Sequence, residues 1–313
     1  MHWKNTALST KDKEVENMTK RLEKLCSLAE AMALIEDGMR IAFGGFAVYQ
    51  KPMAAVHEII RTKKKNLTLV GAVESIDADM LIGAGCVSHI ETSYVGLEKF
   101  GLARNFKRAM ETGSLKIAYY PELLSWDRFC ADRSGMTFWP VNFLGGSDIV
   151  NKNPDIIPFK CPLTGKQLWA VPAANVDVAV VHVHMADKYG NVQIQDRHTV
   201  PQGFIEAVAQ SCSTVIVTAE HIVSNDVIRQ TPHLTILPAY KTTCVVEARY
   251  GSHPTPTLNE THTDNDFFRL YAKAIEQEDT FREFLNKYIY GTKMLEEYIA
   301  LVGADQVAAL EVK

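Results

Sequence analysis

The sequence predicts an α/β fold built on a mostly parallel sheet. Short β-rich runs at 40–43, 67–70, 87–91 and 115–119 alternate with helical stretches at 52–62, 77–84 and 98–113, the pattern of β-α-β units. The 313 residues suffice for one large α/β domain or two smaller ones, with ample core either way.

Taken in order, residues 10–36 read as helical. Leu22, Leu25, Leu28, Ala29 and Met32 recur at helical spacing, and Asp37-Gly38 ends the run. Residues 1–30 are read as an arm and helix, and 31–313 as a single domain. After the alternating region, Pro121 to Arg133 is a helix candidate with Pro in its first turn. The stretch FLGGSDIVNKNPDIIPFKCPLTGK, rich in Gly, Pro and Asn, reads as a long loop. VDVAVVHVHMA and STVIVTAE are the strongest strands, TTCVVEARY is a weaker third, and the last fifty or so residues read as helices.

Composition narrows the function. The net charge is −4 and the pI about 6.2. The one basic block, Lys63 to Lys65, reads as a solvated turn, so nucleic acid is not an expected partner. No segment approaches the ~18 apolar residues of a membrane span, and the charged N-terminus lacks a signal-peptide core. Six cysteines without a C-x-x-C, in mostly apolar contexts, read as reduced, buried thiols of a cytoplasmic protein. G-x-G-x-x-G after a strand, G-x-x-x-x-G-K-[ST] and G-x-S-x-G are all absent. His182 and His184 alternate on a strand. They are conceivable as a metal pair, but without a visible third ligand they read as a satisfied core or interface pair. His262 reads as a solvated imidazole, and no metal site is expected.

The stretch DGMRIAFGGFAVYQKP, residues 37–52, resembles the N-terminal signature of family I CoA-transferase α-type chains. Asp37, Gly38, Ile41 to Phe46 and Pro52 carry the match. Gln50 departs from it, standing where many members carry Gly, although glutaconate-type members depart there too. SYVG (Ser93 to Gly96), ADKYGN (Ala186 to Asn191) and YGSHP (Tyr250 to Pro254) with DNDFFRLY resemble further family segments in family order. The resemblance implies an open, mostly parallel sheet with helices on both faces, as in CoA-transferase/NagB-RpiA-like folds. It also implies a β-type partner chain, in an α2β2 or larger assembly, that carries the glutamate attacking the thioester. No S-E-N-G type motif for that glutamate occurs here.

The resemblance places Gly44, Gly45 and Phe46 at the acyl site, where glycine lets backbone approach a ligand. A plain turn requiring positive φ is the simpler alternative. Tyr49, Gln50 and Lys51 are candidates to line the acyl group. Lys51 could meet a substrate carboxylate or a CoA phosphate, or simply face solvent. Ser93 and Tyr94 are carried over with the SYVG segment.

Transferases of the family place a donating glutamine after the fourth strand, and here the matching position is Glu122. An ionised carboxylate cannot donate, whereas one raised in pKa by burial can act as a general base. Asn-Asn after the second strand is replaced by Ala72 and Val73. Glu74, at the end of the second strand, is a second acid candidate, with a solvated loop carboxylate as its alternative. The expected function is therefore CoA transfer between carboxylic acids, with the CoA thioester as substrate and no cofactor. The alternatives are a CoA-thioester-dependent C–C hydrolase or decarboxylase subunit using Glu122 as base, and a non-catalytic ligand-binding homologue.

Overall fold

A computed structural model describes residues 21–195 and 199–313. Seven strands lie parallel in one sheet: β1 Arg40–Phe43, β2 Leu67–Val70, β3 Val87–Thr92, β4 Lys116–Tyr119, β5 Val178–Asp187, β6 Thr214–Val223 and β7 Cys244–Glu247. Their spatial order is β4-β3-β2-β1-β5-β6-β7. Two short strands, Val192–Gln193 and Thr235–Leu237, extend it antiparallel beside the far end of β5.

The strand period of two sorts the core into two layers. Ile41, Phe43, Val178, Val180 and Ile216 share one cluster with the helices that follow β1 and β2, α2 (Met53–Arg61) and α3 (Ile76–Gly83), and with the C-terminal helices. Ala42, Ala179, Val181, Val215 and Val217 face the opposite cluster. That cluster contains Phe129 of α5 (Glu122–Arg133) and Ile205 and Val208 of α6 (Val200–Gln210). The helices thus cover both faces, which is why β5 and β6 read as near-continuous apolar runs. Between β3 and β4 the connection is α4 (Arg104–Glu111). Residues Met53 to Ile60 of α2 are all buried, including His57 and Glu58. Burial holds the His57 pKa down at about 3.

Two sequence expectations need correction. Within the described residues, the helix expected over 10–36 is only α1, Leu28–Met32; residues 10–20 lie outside them. Ser27 starts α1 with a capping box, its side chain accepting from Glu30 N–H and the Glu30 carboxylate accepting from Ser27 N–H. Just before it, Cys26 N–H donates to Val245 O at 2.9 Å and Val245 N–H to Lys24 O at 2.8 Å, so the chain runs extended beside β7. The expected long loop contains Ile157–Lys160 of a small antiparallel sheet with Phe138–Val141 and Gln167–Pro172. Tyr120, Leu124, Val141, Leu144, Ile156 and Val171 pack beneath this sheet. No helix among the described residues is long and apolar enough to cross a membrane.

Candidate functional site

From β1 the sheet is wound one way as far as β4, then the other way from β5 to β7, so the winding reverses between β1 and β5. In open α/β sheets the ligand crevice forms outside the carboxyl ends of the strands at such a reversal. Gly44-Gly45-Phe46 stands there, directly after β1.

The local geometry explains the glycines. Gly44 N–H donates to Val180 O at 2.9 Å, and a Cβ on Gly44 would lie 2.9 Å from side-chain carbons of both Val181 and Ile205. Gly45 has φ +88°, and a Cβ there would stand 2.5 Å from Gln50 O. Ala47 (φ 50°) and Gln50 (φ 57°) are also left-handed. The Gln50 conformation accounts for glycine being a natural residue at that position. Phe46 and Tyr49 exchange backbone hydrogen bonds at 3.0 and 2.9 Å, closing the turn. A cavity of about 350 Å³ borders it, lined by Phe46 to Tyr49, Glu98 to Phe100 and Thr263.

Lys51 does not face solvent. It is fully enclosed, with its Nζ 2.6 Å from Glu74 Oε2 and 3.2 Å from Asp77 Oδ2. Glu74 is likewise buried rather than a solvated loop carboxylate. A Cβ at Gly71 would lie 1.7 Å from Glu74 Oε1, so the small residue makes room for the carboxyl. Burial pushes the Glu74 carboxyl up to about 8, with the Lys51 ammonium opposing the rise and Asp77 adding to it. Burial works to lower the Lys51 pKa, but its carboxylate neighbours together raise it above the ordinary value. These groups support the turn from beneath; within this chain the Lys51 ammonium is committed to Glu74 and Asp77.

Glu122 is the first residue of α5, with Pro121 as N-cap. It is exposed and makes no hydrogen bond or ion pair among the described residues. The burial that general-base chemistry requires is therefore not supplied by this chain alone. Three strand spacings, roughly 14 Å, separate β4 from β1. An aromatic bridge spans part of the gap: Phe204 lies 5.1 Å from Phe46 and 4.6 Å from Trp126, between ring centroids. Trp126 is one helical turn beyond Glu122, on the same face of α5. Ser93 and Tyr94 follow β3 on the same edge of the sheet. The Ser93 hydroxyl donates to Ala72 O at 2.5 Å, and Tyr94 is 41% exposed.

Other motif residues are structural. Asp187 of ADKYGN accepts from the backbone N–H of Tyr189 and Asn191 at 3.0 and 2.9 Å, shaping the turn that leaves β5. His182 is saturated in the core, with Nδ1 2.9 Å from Thr218 Oγ1 and Nε2 2.8 Å from Glu220 Oε1. His262 is exposed. Sequence reasoning missed Asp77 and Phe204. Asp77 could have been found three residues after Glu74, in the first turn of α3. Phe204 left no local signal.

Residues 26–248 match the family described as Coenzyme A transferase. An uncharacterized protein of Archaeoglobus fulgidus is 35% identical over 91% of this chain; the chain spans only 63% of that relative's length. The A-type chain of 3-oxoadipate CoA-transferase from Pseudomonas knackmussii is 33% identical, over 90% of this chain and 99% of its own. The cholesterol ring-cleaving hydrolase IpdA subunit of Rhodococcus jostii is 27% identical over 91% and 97%. Among solved structures, glutaconate coenzyme A-transferase from Acidaminococcus fermentans superposes with a TM-score of 0.88 at 30% identity, covering 93% of this chain and 96% of that one. The decarboxylase AibA/AibB superposes with a TM-score of 0.74 at 29% identity, covering 85% and 99%. A seven-stranded parallel sheet, a left-handed glycine turn at its winding reversal and a family match across most of its length lead to one assignment: the chain belongs to the coenzyme A transferase family.

Proposed function

We propose that this chain is the α-type subunit of a two-subunit enzyme that moves CoA between carboxylic acids, with the nucleophilic glutamate on a β-type partner. The observation that carries the reading is the open carboxyl edge of the sheet. There the Gly44–Phe46 turn, the cavity beside it and the unpartnered Glu122 share one rim. Tyr49, Tyr94, Tyr119 and Leu123 stand exposed at residues along the same edge, and aromatic residues of this kind are favoured at protein interfaces. A partner seated there would close the site against water and strengthen the electrostatics inside it. The CoA thioester is the substrate and no separate cofactor enters this reading. An α2β2 or larger assembly in the cytoplasm is part of the same proposal.

Glu122 favours a second reading. A carboxylate at the position of the family's donating amide suits proton abstraction or water activation, the work of a decarboxylase or C–C hydrolase subunit. The test uses the purified two-chain complex with a panel of acyl-CoAs and acid acceptors. CoA transfer, with a borohydride-trappable glutamate on the partner, supports the first reading. In that case Glu122→Gln retains much of the activity, because the amide restores a donor. Loss of about 10²–10⁴ in kcat for Glu122→Gln, with no trappable glutamate, supports the second. Robust turnover by the α chain alone would overturn both.

A further inference from the structure

We propose that His184, His221 and Glu260 form a binding site for a divalent transition-metal cation of the zinc class, with one coordination position open to the adjoining cavity. The residues come from three places that the fold brings together. His184 is on β5, His221 on the neighbouring parallel strand β6, and Glu260 on the loop between β7 and the C-terminal helices. Their donor atoms all lie within 4.8 Å of one another. Glu260 Oε1 is 2.7 Å from His184 Nδ1, and Oε2 is 3.2 Å from His221 Nε2. The imidazole planes are nearly perpendicular, 79° apart, so the rings approach the shared point from different directions.

Zinc sits about 2.0–2.2 Å from nitrogen and carboxylate ligands, which puts tetrahedral donors about 3.4 Å apart. With every donor within 4.8 Å of the others, reaching that spacing needs a closure of at most about 1.4 Å, within the reach of rotamer adjustment. The carboxylate is already positioned by its backbone: Glu260 N–H donates to Thr257 O at 2.9 Å, and Glu260 O accepts from Val312 N–H at 2.8 Å. Gln195 Nε2 donates to Glu260 Oε1 at 3.2 Å, an outer contact of the kind that orients metal ligands. Gln195 Oε1, in the same place, is buried without a hydrogen-bond partner among the described residues.

Comparison with the neighbouring pair sharpens the assignment. His182 and Glu220 are enclosed and also bonded to Thr218 and Thr257, leaving no room for an ion. The His184 group remains partly accessible, with side-chain exposures of 15%, 40% and 26% for His184, His221 and Glu260. It adjoins a cavity of about 590 Å³ lined by His184, Gln193, Gln195 and Asn259 among others. Two imidazoles and one carboxylate select zinc, cobalt or nickel over magnesium or calcium. Three protein ligands with an open position are the arrangement in which zinc also holds water or an anionic oxygen.

The test is equilibrium dialysis of the untagged, chelator-stripped full-length chain against zinc, with elemental analysis, and a parallel titration with cobalt read by its visible d–d bands. The expected result is one high-affinity ion per chain that excess magnesium does not displace. His184→Ala, His221→Ala and the near-isosteric Glu260→Gln should each weaken binding by about 100-fold or more while circular dichroism stays native. Gln195→Ala should weaken it about 10–100-fold. Failure of the parent to retain zinc, displacement by magnesium, or equal affinity in folded Glu260→Gln and His221→Ala would overturn the proposal.

Discussion

Replacing Lys51 by Met tests the buried triad beneath the glycine turn. The parent holds two carboxyls, Glu74 and Asp77, against one ammonium, all fully buried or nearly so. With one cation present, one of the two carboxyls must be neutral in the folded protein. Glu74 is that group, its pKa pushed up to about 8 by burial, against the pull of Lys51 and with Asp77 adding to the rise. Without the lysine the two buried carboxyls face each other with no cation, so Lys51→Met is expected to fold with one more proton bound to the pair than the parent. Protonating a carboxyl of ordinary pKa near 4 at pH 7 costs about 4 kcal/mol, which agrees with the ~3–5 kcal/mol measured when buried pairs are broken. At about 2.1 cal/mol/K per residue for unfolding, the chain loses about 5–8 °C of Tm. The gap then widens by about 1.4 kcal/mol, roughly 2 °C, for each pH unit from neutrality to about pH 8, and more steeply above it, where the parent loses its own Glu74 proton. The parent has its own pH trend. A folded pKa raised above the unfolded value contributes stability that is complete below about pH 4.5 and is lost as pH rises through about 8. Scanning calorimetry of both proteins at pH 6.5, 7.5 and 8.5 measures the gap. A deficit under 2 °C, or one that does not grow with pH, would refute the counter-ion role of Lys51.

Gly45→Ala should lower Tm by about 3 °C or more, because it combines a left-handed φ with a Cβ 2.5 Å from Gln50 O; an unchanged melting curve would show that the turn relaxes freely. Glu91 receives Arg40 in a two-pronged contact at 2.8 and 2.9 Å and Arg128 at 2.6 Å. Burial opposes its ionisation, but these guanidinium contacts hold its pKa below the usual value. Its stabilisation is therefore present above about pH 4.5 and lost as pH falls through the depressed pKa, so Glu91→Gln should destabilise by about 3–5 kcal/mol at pH 7 and by less at pH 3, as read by denaturant titration. Glu122→Ala should leave the Tm of the lone chain within about 1 °C, as expected for an exposed side chain without partners, while impairing the complex; a large Tm loss would make Glu122 structural.

Every strand of the parallel sheet was legible because each is a β-rich or apolar run between turn residues, and that signal is local. The small antiparallel sheet was not, because its strands carry Pro140, Pro158 and Pro172 and show no sustained alternation of buried and exposed residues; proline is tolerated on edge strands and strand ends but reads as loop. The glycine turn was legible through Gly44 and Gly45. The fate of Lys51 was not, because the left-handed backbone at Gln50 turns the chain inward and nothing in the letters around it says so. Likewise, the alternation of His182 and His184 was visible, but their separate fates depend on β6 lying beside β5 and on a distant loop supplying Glu260.

The division between buried and exposed acids bears on how the proposed activity would be controlled. Glu74 has the elevated pKa that acid–base chemistry wants, but it is sealed under the turn against Lys51 and Asp77. Glu122 has access, but the chain alone gives it no burial. A carboxylate gains basicity when water is excluded and no cation compensates. If a partner covers the exposed tyrosines along the carboxyl edge, it desolvates Glu122 in the same step that completes the site. The lone chain then holds Glu122 exposed to water, and in the proposed reading assembly is the step that brings it into a closed site. This coupling predicts that Glu122, exposed in the lone chain, reacts there with a water-soluble carbodiimide and is protected once the two chains associate; equal labelling in both states would leave it only the residue that starts α5.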